Sequence, residues 1–325
     1  MKKTALDTLK GSYQIDFNGE YVVLSGAKLY IFKPDGTQVV CRPDLRHAGR
    51  ITFLPGNRML LCSKAVFHMI RLPDGSDLWT APYTKTNFNL NPLAVTPDEA
   101  YAYTYDEYRG TRFLTRLFLN TQEHEVDLQE LQPDIGATRG ILCDEEGTPC
   151  LLKTLTETIG GKTVHQNGVR IHDFYDISPG STTTWKTKWS FDNRISVSFL
   201  GSTDEILTND LSVYQPSTGT LAPLLTPEES SLLPSQPFSG CRTDFTGRYL
   251  CLMYQTGNVI VDMQERRIAA QYAADYTQGC LIGGEYWLCI KNQICRNPFP
   301  AFEEIPPQKT RPTMDWYVSS RPELW

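Results

Sequence analysis

No run of apolar residues in this chain is long enough to cross a bilayer. No long amphipathic helical pattern interrupts it, which disfavours a parallel α/β fold. Basic residues are not in excess. Lys and Arg number 31 against 37 Asp and Glu, for a net charge of −6 near pH 7. A general nucleic-acid surface wants a basic face, so neither nucleic acid nor membrane is expected as a partner. None of the nine cysteines forms a C-x-x-C pair, the spacing of zinc and dithiol redox sites. No G-x-S-x-G nucleophile elbow occurs, and no serine or cysteine has an obvious local histidine. His47, His68, His124, His165 and His172 lack metal-ligand spacing. No catalytic set and no cofactor are therefore expected.

Two motifs resemble functional signals and fail on inspection. Gly160-Gly161-Lys162-Thr163 has the form of the end of a phosphate-binding loop, but Thr156 stands where the leading glycine must be. The segment also falls between two strand patterns rather than before a helix. The opening MKKTALDTLKGS starts with the basic residues of a secretory leader, yet Asp7 and Lys10 interrupt the apolar part. A cytoplasmic location is expected on that basis. Cys143 and Cys150, Cys241 and Cys251, and Cys280 and Cys289 each flank a turn and could face each other across a hairpin. The alternative is that they are small apolar residues of buried strands.

What the chain does have is recurrence. Seven times a turn residue leads into an apolar run. The copies are Gly19-Glu-Tyr-Val-Val-Leu, Gly56-Asn-Arg-Met-Leu-Leu, Asp98-Glu-Ala-Tyr-Ala-Tyr, Gly147-Thr-Pro-Cys-Leu-Leu, Thr203-Asp-Glu-Ile-Leu, Gly247-Arg-Tyr-Leu-Cys-Leu and Gly284-Glu-Tyr-Trp-Leu-Cys. Each block reads as four short strands bounded by Gly, Pro, Asp and Asn. In the second block these are Arg50-Ile-Thr-Phe, Met59-Leu-Leu-Cys, Val66-Phe-His-Met-Ile and Leu78-Trp79, with Pro73-Asp-Gly75 before the fourth. The last block is degenerate, with only Ile294-Cys295 and Asn297-Pro298 after its second strand.

The period is roughly 42 residues, the length of a four-stranded propeller blade. An isolated sheet of this kind leaves two faces bare, whereas stacked copies cover one another. The expectation is an all-β, seven-bladed β-propeller with four antiparallel strands per blade, occupying residues 1–325 as one domain. The blades are placed at 12–47, 48–86, 87–136, 137–192, 193–238, 239–275 and 276–305. A C-terminal segment follows at 306–325. A β-sandwich is the rival, but it leaves the seven-fold recurrence unexplained. Through units such as Leu211-Ser-Val-Tyr-Gln-Pro-Ser-Thr-Gly219-Thr-Leu-Ala, the chain resembles the WD-repeat-like and YVTN-type propeller superfamily. The Gly-His and Trp-Asp dipeptides of true WD repeats are absent, so that family's hydrogen-bond set does not carry over. The resemblance implies a fold and no activity.

The short turns join first to second and third to fourth strands. Extra length gathers in the second-to-third turns and the inter-blade links. It falls at residues 106–110 and 129–136, at 154–168 with Gly160-Gly161 at a hairpin tip, and at 226–240, where Thr226-Pro-Glu-Glu229 has capping-box form. Long loops on a rigid frame are where binding usually resides, so this face is the expected working surface.

Arg50, Arg139, Arg194 and Arg242 fall at or near the starts of innermost strands, where guanidinium forks could gather around an anion at a channel mouth. Asp44, Asp134, Asp192 and Asp275 lie in links and are weak candidates for a metal cage, since such aspartates commonly bond their own turns. The proline-rich end carries Trp316, Tyr317 and Trp325, which could dock across the last blade or bind a partner. The expected function is a non-enzymatic binding or scaffold module holding a protein partner or an anionic ligand. The alternatives are a hydrolase or lactonase-like enzyme at the channel mouth and a small-molecule sensor.

Overall fold

Middle strands of these repeats carry apolar residues on both sides, because each sheet is covered on two faces rather than one. A computed structural model shows how. It describes residues 5–46, 51–83, 93–108, 111–120, 126–131, 136–159, 162–171, 184–190, 197–208, 210–236, 238–273, 279–300 and 315–317.

After a 3-10 turn at Leu6–Thr8, the first sheet is β1 (Gln14–Phe17), β2 (Val22–Ser25), β3 (Leu29–Phe32) and β4 (Gln38–Arg42). The second is β5 (Thr52–Leu54), β6 (Arg58–Ser63), β7 (Val66–Arg71) and β8 (Ser76–Pro82). The third is β9 (Ala94–Val95), β10 (Tyr101–Tyr108), β11 (Thr111–Phe118) and β12 (Val126–Leu131). The fourth is β13 (Gly136–Cys143), β14 (Pro149–Ile159), β15 (Lys162–Ile171) and β16 (Thr184–Ser190). The fifth is β17 (Val197–Phe199), β18 (Ile206–Thr208), β19 (Ser212–Gln215) and β20 (Thr220–Pro223). The sixth holds β21 (Gly240–Thr243), β22 (Tyr249–Tyr254), β23 (Gly257–Asp262) and β24 (Arg267–Ala273), with the later β28 (Asp315–Tyr317) added beside β21. The last sheet has only β25 (Cys280–Ile282), β26 (Glu285–Ile290) and β27 (Gln293–Pro298).

This corrects the expectation of seven four-stranded blades. Six blades carry the full set of four consecutive strands, and among the described residues the final repeat is a three-stranded sheet. The reason lies in its sequence. Earlier repeats follow the third strand with turns such as Pro34-Asp35-Gly36, whereas β27 runs into Pro298-Phe299-Pro300. Proline offers no N–H to a ladder and cannot sit in a following inner position. The aromatic tail does dock, through β28, but on the sixth sheet rather than across the last.

The chain forms two compact units, Met1–Thr80 with Leu225–Trp325, and Ala81–Leu224. In the first, sheets stack face to face in series. Val22 and Leu24 of β2 point into a cluster with Ile282, Trp287 and Cys289 of the last sheet. Val23 points the other way, with Tyr21 and Ile31, onto Met59, Leu61 and Ile70 of the second sheet. The sixth sheet packs on the opposite face of the last one, Tyr249, Cys251 and Ile260 against Leu281, Tyr286 and Leu288. The two-residue period of a strand thus feeds two cores at once. In the second unit, Tyr103, Tyr105 and Leu114 of the third sheet pack on Ile141 and Leu151 of the fourth. Outer strands contribute little: β20 is exposed along its whole length, and β22 is buried along its whole length.

All nine cysteines are free thiols. Register explains two of the three candidate pairs. Cys143 lies opposite Pro149, and Cys241 lies opposite Leu252, so each cysteine is one residue out of step with its mate and faces the other side.

The hairpin turns are held by short polar side chains that accept from the backbone just ahead. Asn18 Oδ1 accepts from the N–H groups of Glu20 (3.0 Å) and Tyr21 (2.7 Å). Asp98 does the same for Ala100, Asp144 for Thr148 and Asp244 for Tyr249. On the third-to-fourth-strand turns, Asp35 accepts from Thr37 and Asp74 from Ser76. Gly19 sits at φ +95°, and a Cβ there would come within 2.9 Å of the Phe245 ring, which packs edge-on against Phe17. Only glycine serves at that position.

Asp262, at the end of β23, is buried and grips Arg248 through Nε (3.0 Å) and Nη2 (2.7 Å), while accepting from the N–H groups of Gln264 and Glu265. Burial pushes its carboxyl up, but Arg248 and the two N–H groups together pull it further down, and the net value lies below the ordinary carboxylate range. A depressed folded pKa gives stability that is complete above the unfolded value, about 4, and is lost as pH falls through the folded value. Asp262→Asn is therefore expected to be less stable than the parent at pH 7, with a deficit that shrinks below about pH 4. Urea midpoints measured across that range check it.

Candidate binding surface

The innermost strand of the sixth sheet carries a buried charge. Arg242, on β21, is 5% exposed, and its guanidinium reaches the first sheet. Nη1 donates to the Ile15 carbonyl and Nη2 to Asp16 Oδ1, each at 2.5 Å. Asp16 is buried too and also accepts from Gln14 Nε2 at 3.2 Å. A guanidinium fork matched to a carboxylate and a carbonyl is well suited to such a place, because a buried cation must be both paired and hydrogen-bonded. Of the four arginines singled out for an anion site, this one is occupied within the fold. Asp16 was the residue that sequence reasoning missed. The available signal was an acid set among the apolar residues of Gln14–Phe17.

The other candidates fall elsewhere. Arg139 lies at the register shift between Thr138 and Gly140 in β13, in the other compact unit. Arg50 and Arg194 lie outside the described residues, as do Asp134, Asp192 and Asp275. Asp44 is taken by Arg42, through Nε at 3.0 Å and Nη2 at 2.7 Å, and this pairing holds its carboxyl down at about 2. Arg42 also meets Asp77 (2.8 Å) and the Gly75 carbonyl (2.7 Å), and Asp77 in turn meets His68 Nδ1 (3.1 Å). The network ties the outer strands of the first and second sheets together at the surface, where such pairs contribute little individually. Among the described residues, no group of three or more His, Cys, Asp or Glu is placed to hold a metal ion.

The extra length read as loops is taken up differently at each site. Residues 106–108 continue β10, paired with β11 as far as Tyr108↔Thr111. In the 226–240 link, Thr226 caps a single helical turn, α1 (Pro227–Ser230), by accepting from the Glu229 N–H. Glu229 does not close the box. Its Oε2 accepts from the Ile268 N–H at 2.7 Å, covering part of the outer edge of β24.

The largest extension is the hairpin β14–β15. Its strands have 11 and 10 residues, against 4 each for β2 and β3. Among the described residues, β13 pairs along this hairpin as far as Gly136↔Leu155, and β16 as far as Gln166↔Ser190. Beyond them the pairs Thr156↔His165, Glu157↔Val164, Thr158↔Thr163 and Ile159↔Lys162 continue, as a two-stranded ribbon among the described residues. A ribbon without flanking strands is marginal on its own and gains little for the sheet beneath it. Gly160 and Gly161, the expected tip, lie outside the described residues.

By fold, the chain is a WD-repeat-like β-propeller. The WD40 domain of Sif2 superposes with a TM-score of 0.56 at 11% identity, over 89% of this chain and 95% of that one. The Swd1 (Cps50) β-propeller domain of Myceliophteria thermophila gives 0.54 at 10% identity, over 98% and 100%. Hydrazine synthase of Kuenenia stuttgartiensis gives 0.59 at 12% identity, over 93% and 99%. Identities this low establish architecture and leave activity open. No protein-family model and no curated protein matches the sequence.

Removing one partner of a buried ion pair strands the other charge, at a cost of about 3–5 kcal/mol. Arg242→Met is expected to lose about that much stability. The double variant Asp16→Leu, Arg242→Met is expected to recover most of the loss, read as urea midpoints in a double-mutant cycle.

Proposed function

We propose that this protein is a non-enzymatic binding or scaffold module that holds a protein partner, and that the β14–β15 ribbon is its principal docking element. The observation that carries the reading is the hairpin itself: four residue pairs of ladder that continue past the last described pairs of both flanking strands. Among the described residues nothing pairs with the edges of these four pairs, and such edges offer backbone N–H and C=O groups that an extended partner segment can pair with. The sheet below supplies a stiff base, since β14 enters it through the buried residues Cys150, Leu151 and Leu152. The likeness to WD40 domains agrees with a binding scaffold. Pairing of Arg242 with Asp16 favours a protein partner over an anion held by arginines.

Leu155 and Gln166 are register partners, so a two-residue Asn-Gly turn between them closes the hairpin without residues 156–165. The shortened protein is expected to keep its circular dichroism spectrum and to melt within about 3 °C of the parent. Cross-linking in cells is expected to lose a partner band that the parent captures. An unchanged band pattern from the shortened protein overturns the assignment of docking to the ribbon.

A further inference from the structure

In six of the seven sheets the innermost strand ends the order, and among the described residues nothing is paired beyond it. β21 is different. β28 lies antiparallel to it, with Gly240 opposite Tyr317, Cys241 opposite Trp316 and Arg242 opposite Asp315. The parity of the ladder shows which groups meet. The Asp244 N–H donates to the Tyr249 carbonyl at 2.8 Å, so Asp244, and with it Arg242 and Gly240, turn their backbone groups toward β22. Cys241 therefore turns its N–H and C=O the other way, toward Trp316.

We propose that the inner edge of β21 is a strand-accepting site whose resident occupant is the chain's own Asp315–Tyr317, and that this segment exchanges with an extended peptide of the same acidic-aromatic-aromatic chemistry. Three observations carry it. Gly240, Cys241 and Arg242 are buried with the segment in place, and β28 pairs with the backbone edge that Cys241 turns away from β22. The Arg242 side chain is already committed to Asp16 and Ile15, so recognition at this edge is by main-chain pairing. The occupant is only three residues long, too short to pair firmly without its covalent tether. Belonging to the same chain raises the local concentration of the segment at the edge. A partner segment then competes against a weak intramolecular strand, which makes the tail a gate on the site. The surface lies in a different compact unit from the β14–β15 ribbon and stands or falls separately from it.

The test uses the full chain and the variant Trp316→Pro, which removes the N–H that faces Cys241. Hydrogen exchange at the Cys241 amide is read with and without a synthetic peptide covering residues 311–321. The expected result is exchange at Cys241 about tenfold or more faster in Trp316→Pro, returning toward the parent value as the peptide is added. Exchange at Cys241 that is the same in parent and variant overturns the tail as occupant. Fast exchange that saturating peptide does not slow overturns the site as one that accepts a strand from outside.

Discussion

Stability in this protein rests on sheets that bury both faces against their neighbours. A strand such as β2 has no outside: Val22 and Leu24 belong to one core and Val23 to the next. Each apolar side chain removed from water contributes about 1.5–3 kcal/mol, and strands of four residues become sufficient because both of their faces collect it. The same constraint accounts for the placement of polar groups. Outer strands and turns carry most of them, and two of the buried carboxylates, Asp16 and Asp262, are each gripped by an arginine, Arg242 and Arg248.

Much of the architecture was legible in the sequence because turns and strand cores have local causes. A carboxylate or amide at a hairpin corner is visible as Asn18, Asp98, Asp144 or Asp244 followed by its apolar run, and each one folds as that pattern dictates. The final repeat was read as degenerate and yet counted as a seventh four-stranded blade, and that count is what the structure overturns. Counting apolar runs cannot show that, among the described residues, β27 runs into Pro298 and Pro300 and no fourth strand is paired beside it. The capping box was half right. Thr226 does its part, while Glu229 bonds a strand forty residues away, which no local motif encodes.

The candidate site was less legible, for a related reason. An arginine at a strand start looks the same whether it faces an anion or a buried acid 226 positions earlier in the chain. The pairing of Arg242 with Asp16 exists only because two distant repeats are brought side by side. By contrast, the β14–β15 extension was visible as excess length with a glycine pair, was expected as a protruding hairpin, and is built as paired strand. β-branched residues favour a ladder, and Thr154, Thr156, Thr158, Ile159, Thr163 and Val164 supply them here.

The junction of the first sheet with the last also bears on synthesis. Ile15 and Phe17 leave the ribosome long before Trp287 and Cys289, the residues that cover them. Contacts so far apart in sequence form slowly and late. Until the final sheet is made, one apolar side of the leading sheet stays wet and adhesive, which makes the nascent chain a natural client for holdase chaperones during translation.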